Sequence, residues 1–451
     1  MAFGGGEHPV ASWPVRALLA ATLLATTATL ALVTVIGKLV YDITANELDL
    51  GLLGLVEFAP AALLVLVTGS VADRFSRRRV AASAYVGEAV VSVVLALHVL
   101  GEPTGVAGIF TLVAAFGVAR AFAAPASRAL PSDAVPPEQL PWLIPRISGT
   151  HQVGVIVGPV LGGFLFTISP AAPLLAAAAL QLAAAAAAWT VRPWPGGAAA
   201  PADPAAGAAP DRPSPPSQSP SPDPPPEETG AGWRDALEGV RLIRAQPVLL
   251  GAISLDLFAV LFGGAVALLP ALAEDRLGVG AVGLGWLRAA GGIGAAIVTL
   301  GLVLRPVRRR VGKVLLGVVA TFGLATILLG LTTSFGVALV AMAVLSGADA
   351  VSVFIRSTLV PLVTPAAARG RVLAVENIFI GASNEAGDFE SGVAGAAFGA
   401  SAAVVLGGIG TLVVAAAWWA LFPRLRDIDA FPTEPDPDPS RAGPGRAAAT
   451  G

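Results

Sequence analysis

Long apolar runs, separated by short polar stretches, recur along almost the whole chain. Each run holds about 20 residues with few charges, which is the length that an α-helix needs to cross the hydrocarbon core of a bilayer. The runs are continuous rather than alternating, which excludes a transmembrane β-barrel. We therefore predict twelve membrane-spanning helices. The predicted spans 1 to 12 are residues 17–38, 50–71, 80–100, 105–127, 148–168, 171–190, 247–271, 279–304, 313–333, 335–360, 372–397 and 400–422.

The composition supports an all-α polytopic membrane protein. Of the 451 residues 55% are hydrophobic and 13% are charged, and so few charges cannot cover the surface of a soluble protein of this size. The run from Ala17 to Ile36 has spanning length, so we interpret it as the first transmembrane helix rather than as a cleaved signal peptide. The absence of cysteine excludes disulfides, thiol catalysis and cysteine-based metal sites.

Arginine is distributed asymmetrically among the predicted loops. The loops between spans 2 and 3, 8 and 9, and 10 and 11, together with the tail, carry most of the arginines, whereas the opposite loops are mainly acidic. Positive residues accumulate in cytoplasmic loops, so both termini are expected in the cytoplasm. Only two of the 28 basic residues are lysine, which together with the excess of Ala, Gly and Pro suggests a bacterial protein of the inner membrane.

A segment rich in Pro, Ala and Ser divides the chain into two halves. Residues 191–232 contain almost no large apolar residue, so they cannot bury enough surface to offset their ordering entropy, and we predict a disordered cytoplasmic linker. A partner-binding Pro-rich tract is the alternative. The predicted domains are a six-helix bundle (1–190), the linker, a cytoplasmic surface helix with a second six-helix bundle (233–422), and a disordered cytoplasmic tail (423–451).

The two halves also show a weak internal repeat. "GSVADRFSRRRV" at Gly69–Val80 aligns with "LGLVLRPVRRRV" at Leu300–Val311, an offset of 231 residues. Two six-helix repeats in parallel are one way to build an alternating-access transporter, with the binding site between them near the middle of the membrane.

The first of these segments resembles a signature of the major facilitator superfamily. It matches the family's loop 2–3 motif, G-x-x-x-D-R-x-[GS]-R-[RK]-[RK], with Ser76 where the family usually has Gly. The resemblance implies the two-bundle facilitator fold with twelve helices, and a conformational latch that joins the halves at the cytoplasmic face in the outward-facing state. Its acid can meet the positive N-terminus of a helix, and its arginines can pair with acids. The simpler interpretation is that the arginines only set the topology. The matching residues are Gly69, Asp73, Arg74, Arg77 and Arg78.

A glycine stripe in span 5 predicts close helix packing. Gly154, Gly158 and Gly162 are spaced four residues apart, which lets two helices approach closely, and Pro159 introduces a bend. "GVIVGPVLGGF" is similar to the antiporter motif of drug-exporting facilitators. The phrases "RVLAVENIFIGASNEAGDFESG" in span 11 and "RAFAAPASRALPSDAVPPEQLP" in span 4 resemble the enterobactin-exporter branch, which is often grouped with drug:proton antiporters.

Span 11 carries a polar stripe in an otherwise apolar helix. Asn377, Asn384, Glu385 and Asp388 lie within about 60° of Gly381 on a helical wheel. A carboxylate at this depth costs about 2.5–3.5 kcal/mol, and it is tolerated when it is protonated, paired or turned toward water. We therefore predict that the stripe faces a water-filled path between the two halves.

Other ionisable residues lie inside the predicted spans. In the superfamily, spans 1, 4, 7 and 10 line the central cavity, so the resemblance implies that Arg120, Asp256 and Asp349 join the two asparagines of span 11 in the substrate cavity. Arg288 is a candidate to neutralise Asp256 or an acid of span 11. Purely structural ion pairs remain the alternative. The predicted proton-coupling residues are Glu385, Asp388, Asp256 and Glu57.

These features predict a proton-coupled secondary exporter of a small organic molecule, either a siderophore, a drug or a secreted metabolite. The alternatives are a sensor or assembly partner that does not transport, and an uptake permease. The sequence has no phosphate-binding loop, no paired metal ligands and no nucleophile–His–acid arrangement, so we expect no enzyme activity, no cofactor and no metal. The expected partners are the substrate, protons and the bilayer, without nucleic acid, and the expected state is a monomer.

Overall fold

The computed structural model describes residues 12–192, 194 and 233–432, and the first half of this part consists of six long helices. The predicted linker lies almost entirely outside the described residues, as do residues 1–11 and 433–451. The helices of the first half are α1 (Trp13–Thr44), α2 (Glu47–Arg74), α3 (Arg77–Leu100), α4 (Ala107–Ala134), α5 (Leu140–Phe166) and α6 (Ala172–Thr190).

The second half repeats this pattern with additional short helices. Its elements are α7 (Trp233–Ala245), α8 (Pro247–Phe262), α9 (Leu269–Ala271), α10 (Gly280–Leu304), α11 (Val311–Leu331), α12 (Phe335–Val363), α13 (Arg369–Phe398), α14 (Ala400–Leu421) and α15 (Pro423–Arg426). The all-α polytopic fold of two six-helix bundles is confirmed. Within the described residues nine helices are long and apolar enough to cross a membrane. The three predicted spans outside this set are spans 2, 7 and 11, which correspond to α2, to α8 with α9, and to α13. Helix α13 carries six charged residues.

Span 7 is not the single continuous helix that the sequence predicts. Helix α8 ends at Phe262, and the chain passes through Gly263 and Gly264 before α9 continues into one turn of π-helix, Leu272–Arg276. Glycine is required at this break because α13 passes so close to it. A Cβ on Gly264 would lie only 2.5 Å from the carbonyl oxygen of Gly387 on α13. The glycines therefore let α13 pass directly over the interrupted helix.

Two helix crossings form most of the contact between the halves: α2 packs on α13, and α5 packs on α10. At the first crossing a Cβ on Gly392 would lie 2.7 Å from Cα of Gly51, and at the second a Cβ on Gly285 would lie 2.5 Å from the carbonyl oxygen of Pro159. Both crossings depend on glycine, because no side chain fits between the two backbones.

The buried cores show how the halves are arranged. We call the end of the bundle with the α2–α3, α10–α11 and α12–α13 connections the arginine end, and the opposite end the far end. At the far end a single core unites both halves, including Leu39, Leu53, Leu268, Leu284 and Val404. Toward the arginine end there are two separate cores, one from the first half and one from the second. The seam between the halves is therefore closed at the far end and open at the arginine end.

Two segments cover the second half at the arginine end. Helix α7 meets α8 at an angle of 109°, as expected for a helix on the membrane surface, and its Glu238 pairs with Arg371 of α13 at 2.8 Å. The first residues of the segment predicted as a disordered tail are ordered. Residues 423–431 instead pack on α11 and α12, because Leu425, Ile428 and Phe431 supply an apolar face.

Candidate substrate and proton site

Five charged side chains from four helices converge on the seam. Glu57 of α2 forms an ion pair with Arg120 of α4. Glu385 on α13 interacts electrostatically with Asp388, Glu57 and Arg120, and Arg288 of α10 interacts with Asp388 and Glu57. The structure thus brings three of the predicted proton-coupling residues, Glu57, Glu385 and Asp388, together with Arg120 of the predicted substrate cavity. Arg288 lies near an acid of span 11 rather than near Asp256.

The acids of α13 lie just below the closed end of the seam. Asp388 and Glu385 precede the Gly51–Gly392 crossing by four and seven residues, or by about 6 and about 10 Å along the helix axis. A Cβ on Gly54 would lie 3.0 Å from Oε2 of Glu385, so the carboxylate of Glu385 packs against the backbone of α2 at Gly54. The carboxylates are therefore placed where α2 and α13 must separate if the far end is to open.

Arg288 is buried, and its Nε has no hydrogen-bond partner within the described residues. An arginine in such a position is expensive unless nearby acids offset its charge. Asp388 and Glu57 are those acids. The sequence marked Arg288 only as one of two possible counter-charges, because the partner is set by tertiary packing.

The charges of the cluster do not balance. Glu57 is paired with Arg120, whereas neither acid of α13 forms an ion pair among the described residues. The leading charged neighbour of Asp388 is Arg288, but the leading charged neighbours of Glu385 are the acids Asp388 and Glu57. With every group ionised, three carboxylates and two guanidinium groups leave a net charge of −1. Glu385 is thus the group that can accept a proton or a cation at the least electrostatic cost.

The side of the cluster toward the arginine end is accessible. Arg120 keeps 48% of its side chain exposed although it lies in the middle of a predicted span. Asn377 and Asn384 are also exposed, and the amide of Asn377 donates to the carbonyl oxygen of Leu373 at 3.0 Å. These polar groups on α4 and α13 supply hydrogen-bond donors and acceptors to a molecule that enters the opening.

Asp256 and Asp349 lie elsewhere, inside the second bundle. Asp256 of α8 pairs with Arg356 of α12 at 2.7 Å, and both side chains are almost fully buried. Asp256, Asp349 and Ser352 line one cavity of about 20 Å³, which has room for about one water molecule. In this conformation the two aspartates belong to an internal polar cluster and not to the open seam. Arg356 was not predicted from the sequence, although its position seven residues, or about two helical turns, after Asp349 places both on one face of the helix.

The far end carries polar contacts across the seam that the sequence did not reveal. Lys38 of α1 pairs with Glu274 of the π-helical turn at 3.1 Å, and it also contacts Asp42. The hydroxyl of Tyr41 donates to Asp275. Lys38 and Tyr41 are only 6% and 5% exposed. These contacts tie the end of α1 to the interrupted seventh span, and we call them the far-end gate.

Among the described residues, the arginines of the predicted latch at the arginine end form no ion pair with the second half. Arg77 pairs with Asp133 of α4 at 2.8 Å and donates to Ser132, both in the same half. Arg74 is exposed and Arg78 is half-buried. The side chain of Asp73 lies outside the part that the structure describes, and Gly69 has no side chain. A seam that is open at this end would separate such a latch, so its role stays a prediction.

The glycine stripe of α5 packs on α1. Cβ atoms on Gly154, Gly158 and Gly162 would each lie less than 3 Å from an atom of α1. The carbonyl oxygen of Pro159 lies beside Gly285 of α10 on another face of the helix. Helix α5 is thus held between its own bundle and the opposite half, and the close contact with α1 is the approach that small residues permit.

Two bundles around a polar seam define a polytopic transporter fold. Residues 18–387 match the Major Facilitator Superfamily, which is most of the chain, so the protein belongs to this family. It is accordingly a membrane transporter rather than an enzyme. No curated protein sequence matches the chain.

Several solved structures are similar in fold. A bacterial homologue of the human lysosomal transporter Spinster, in an inward-facing and unoccupied conformation, has 16% identity and a TM-score of 0.65, and the match covers 94% of this chain and 99% of that chain. The nucleoside transporter NupG has 14% identity and a TM-score of 0.68, with 91% and 99% covered. A POT family transporter bound to 5-aminolevulinic acid has 11% identity and a TM-score of 0.66, with 91% and 96% covered. At these identities the likeness shows the fold alone.

Proposed function

We propose that the protein is a proton-coupled secondary exporter of a small organic molecule that works by alternating access. The proposal rests on the carboxylate of Glu385, which forms no ion pair among the described residues and lies just below the closed end of the seam. The arginine distribution assigns the open end to the cytoplasm. In that orientation the conformation is inward-open and receives its substrate from the cytoplasm.

The coupling follows from the charge of the cluster. When the far end opens, Glu385 accepts a proton from outside, and the repulsion between the acids of α13 and Glu57 on α2 decreases. The neutralised helices can then close at the far end, which opens the cytoplasmic side. There Glu385 releases its proton, and the polar groups of α4 and α13 bind the substrate. The return to the outward state exports the substrate and completes the cycle.

The test uses everted membrane vesicles that contain the full-length protein in their membrane, with a panel of cationic and neutral dyes as trial substrates. We expect Glu385→Gln to abolish substrate-dependent proton movement while the protein still inserts normally. Glu390→Gln is the matched control, because Glu390 lies on the same helix but has no charged partner among the described residues. Equal proton movement in wild type and Glu385→Gln would refute the assignment.

The direction of transport and the substrate are tested separately. An export function predicts that deletion of the gene raises the cellular content of at least one metabolite, measured by mass spectrometry of cell extracts and medium. The resemblance in spans 4 and 11 directs the search to siderophores, drugs and secondary metabolites. Uptake is the second candidate, because similar folds include a nucleoside transporter and a peptide transporter. Loss of accumulation in the deletion strain would favour it.

A further inference from the structure

A groove of about 580 Å³ lies on the outer surface of the first bundle near the arginine end. It runs between α2, α3 and α4, and its floor is apolar, with Val80 and Phe122 among its residues. Ser76, Arg79 and Ser83 form a polar edge along α3. Helix α3 packs on α4 and α6 of its own half, so this face is turned away from the seam and toward the bilayer.

In the second bundle the chain after α14 packs against the helix end that corresponds to the start of α3. The 231-residue offset pairs Arg79 with Arg310 at the start of α11. The chain after α14 crosses this point, since the amide of Gly312 donates to the carbonyl oxygen of Ile428 at 3.0 Å. Further along, Phe431 meets Phe354 of α12 edge-on at 6.3 Å between ring centroids.

The equivalent segment of the first half does not fill the groove. Trp194, which the offset pairs with Leu425, donates its amide to the carbonyl oxygen of Asp133 at 2.9 Å and is not among the residues that line the groove. Helices α6 and α14 end at Thr190 and Leu421, which are also 231 residues apart. The same offset pairs Ile428 with Gly197 and Phe431 with Ala200. Positions 197 and 200 lie outside the described residues, but their side chains are too small to replace an isoleucine and a phenylalanine. The apolar floor therefore needs another occupant.

We propose that the groove binds a phospholipid with an anionic headgroup from the leaflet at the arginine end. The apolar floor along Val80 and Phe122 accommodates an acyl chain, which is the solvent that this face meets in a membrane. The guanidinium of Arg79 and the hydroxyls of Ser76 and Ser83 offer donors to the phosphate. Arg78 and the N-terminus of α3 add positive potential, which favours an anionic headgroup over a zwitterionic one.

Native mass spectrometry of the purified full-length protein tests the proposal, with phosphatidylglycerol and phosphatidylcholine as the probes. We expect Arg79→Asn to weaken phosphatidylglycerol binding by about tenfold, as for the loss of one charge-assisted contact. Ser83→Trp, which fills the groove, should remove one bound lipid of either type. Arg310→Asn is the matched control, because Arg310 holds the equivalent position in the second half, where its amide donates to Asp429 of the packed tail, and asparagine tolerates the positive φ of 57° found there.

Two outcomes would overturn the proposal. Equal weakening by Arg79→Asn and Arg310→Asn would show that general surface charge attracts the lipid. A gain of one bound lipid after deletion of residues 196–230 would show that the chain itself occupies the groove. Melting temperatures of all variants, measured in the same detergent, separate lost binding from lost folding.

Discussion

The far-end gate offers a quantitative test of how the seam is kept closed. The double variant Tyr41→Phe with Glu274→Gln removes one hydroxyl and one charge without changing the packed rings. A hydrogen bond to a charged group contributes at least about 1.5 kcal/mol. We use this low value for the bond from Tyr41 to Asp275, because Asp275 is exposed. The pair of Lys38 with Glu274, whose side chain is 45% exposed, contributes about 0.5 kcal/mol after screening.

Together these losses amount to about 2 kcal/mol, which is a shift of roughly thirtyfold toward the state with an open far end. Because the chain has no cysteine, spin labels can be placed directly at Thr104 and Thr333. Both are exposed at the far end, one in each half. Double electron–electron resonance should show that the population with a longer distance between the two labels is larger in the variant than in wild type.

The control for this experiment is Arg276→Gln. Arg276 lies in the same π-helical turn, but it donates to the carbonyl oxygens of Thr332 and Leu331 within its own half. It should leave the distance distribution unchanged. An unchanged distribution in the double variant, or an equal shift in the control, would refute the assignment of these contacts as a gate.

Other predictions follow from single contacts. Gly392→Leu should prevent closure of the far end, because even a Cβ would lie 2.7 Å from Cα of Gly51; the same spin-label pair would report a permanently longer distance. Arg356→Met leaves Asp256 buried without its partner and should destabilise the protein by about 3–5 kcal/mol, whereas adding Asp256→Asn should restore part of the melting temperature. Phe431→Ala should lower the melting temperature by removing the ring contact with Phe354 of α12, without altering transport.

Much of the fold was predictable because a membrane restricts the choice of structures. A chain in lipid must satisfy its backbone hydrogen bonds internally, so apolar runs of spanning length translate into helices with little ambiguity. The interruption of span 7 was the exception. Gly263 and Gly264 mark it in the sequence, but their meaning depends on the passage of α13, which is a contact between residues far apart in the chain.

The candidate site was predictable only in part. Glu385 and Asp388 were identifiable because ionised groups in lipid are costly, and their common helix face followed from the helical period. The partner of each charge was not identifiable, since Arg288 and Arg356 are assigned by packing between helices. Lys38 was not predicted as a site residue, because it lies at the predicted end of span 1. A charged side chain at the end of a span can reach the membrane interface at little cost.

The most direct test of the central claim is the effect of pH on the seam, measured without any substrate. The Thr104 and Thr333 spin-label distance is recorded across a pH series in wild type, Glu385→Gln and Glu390→Gln. If Glu385 is the proton carrier, wild type and Glu390→Gln should gain the longer distance as pH rises, because the restored charge repels Asp388 and Glu57 across the α2–α13 crossing. Glu385→Gln should hold the short distance at every pH. The same pH response in all three proteins would contradict the account.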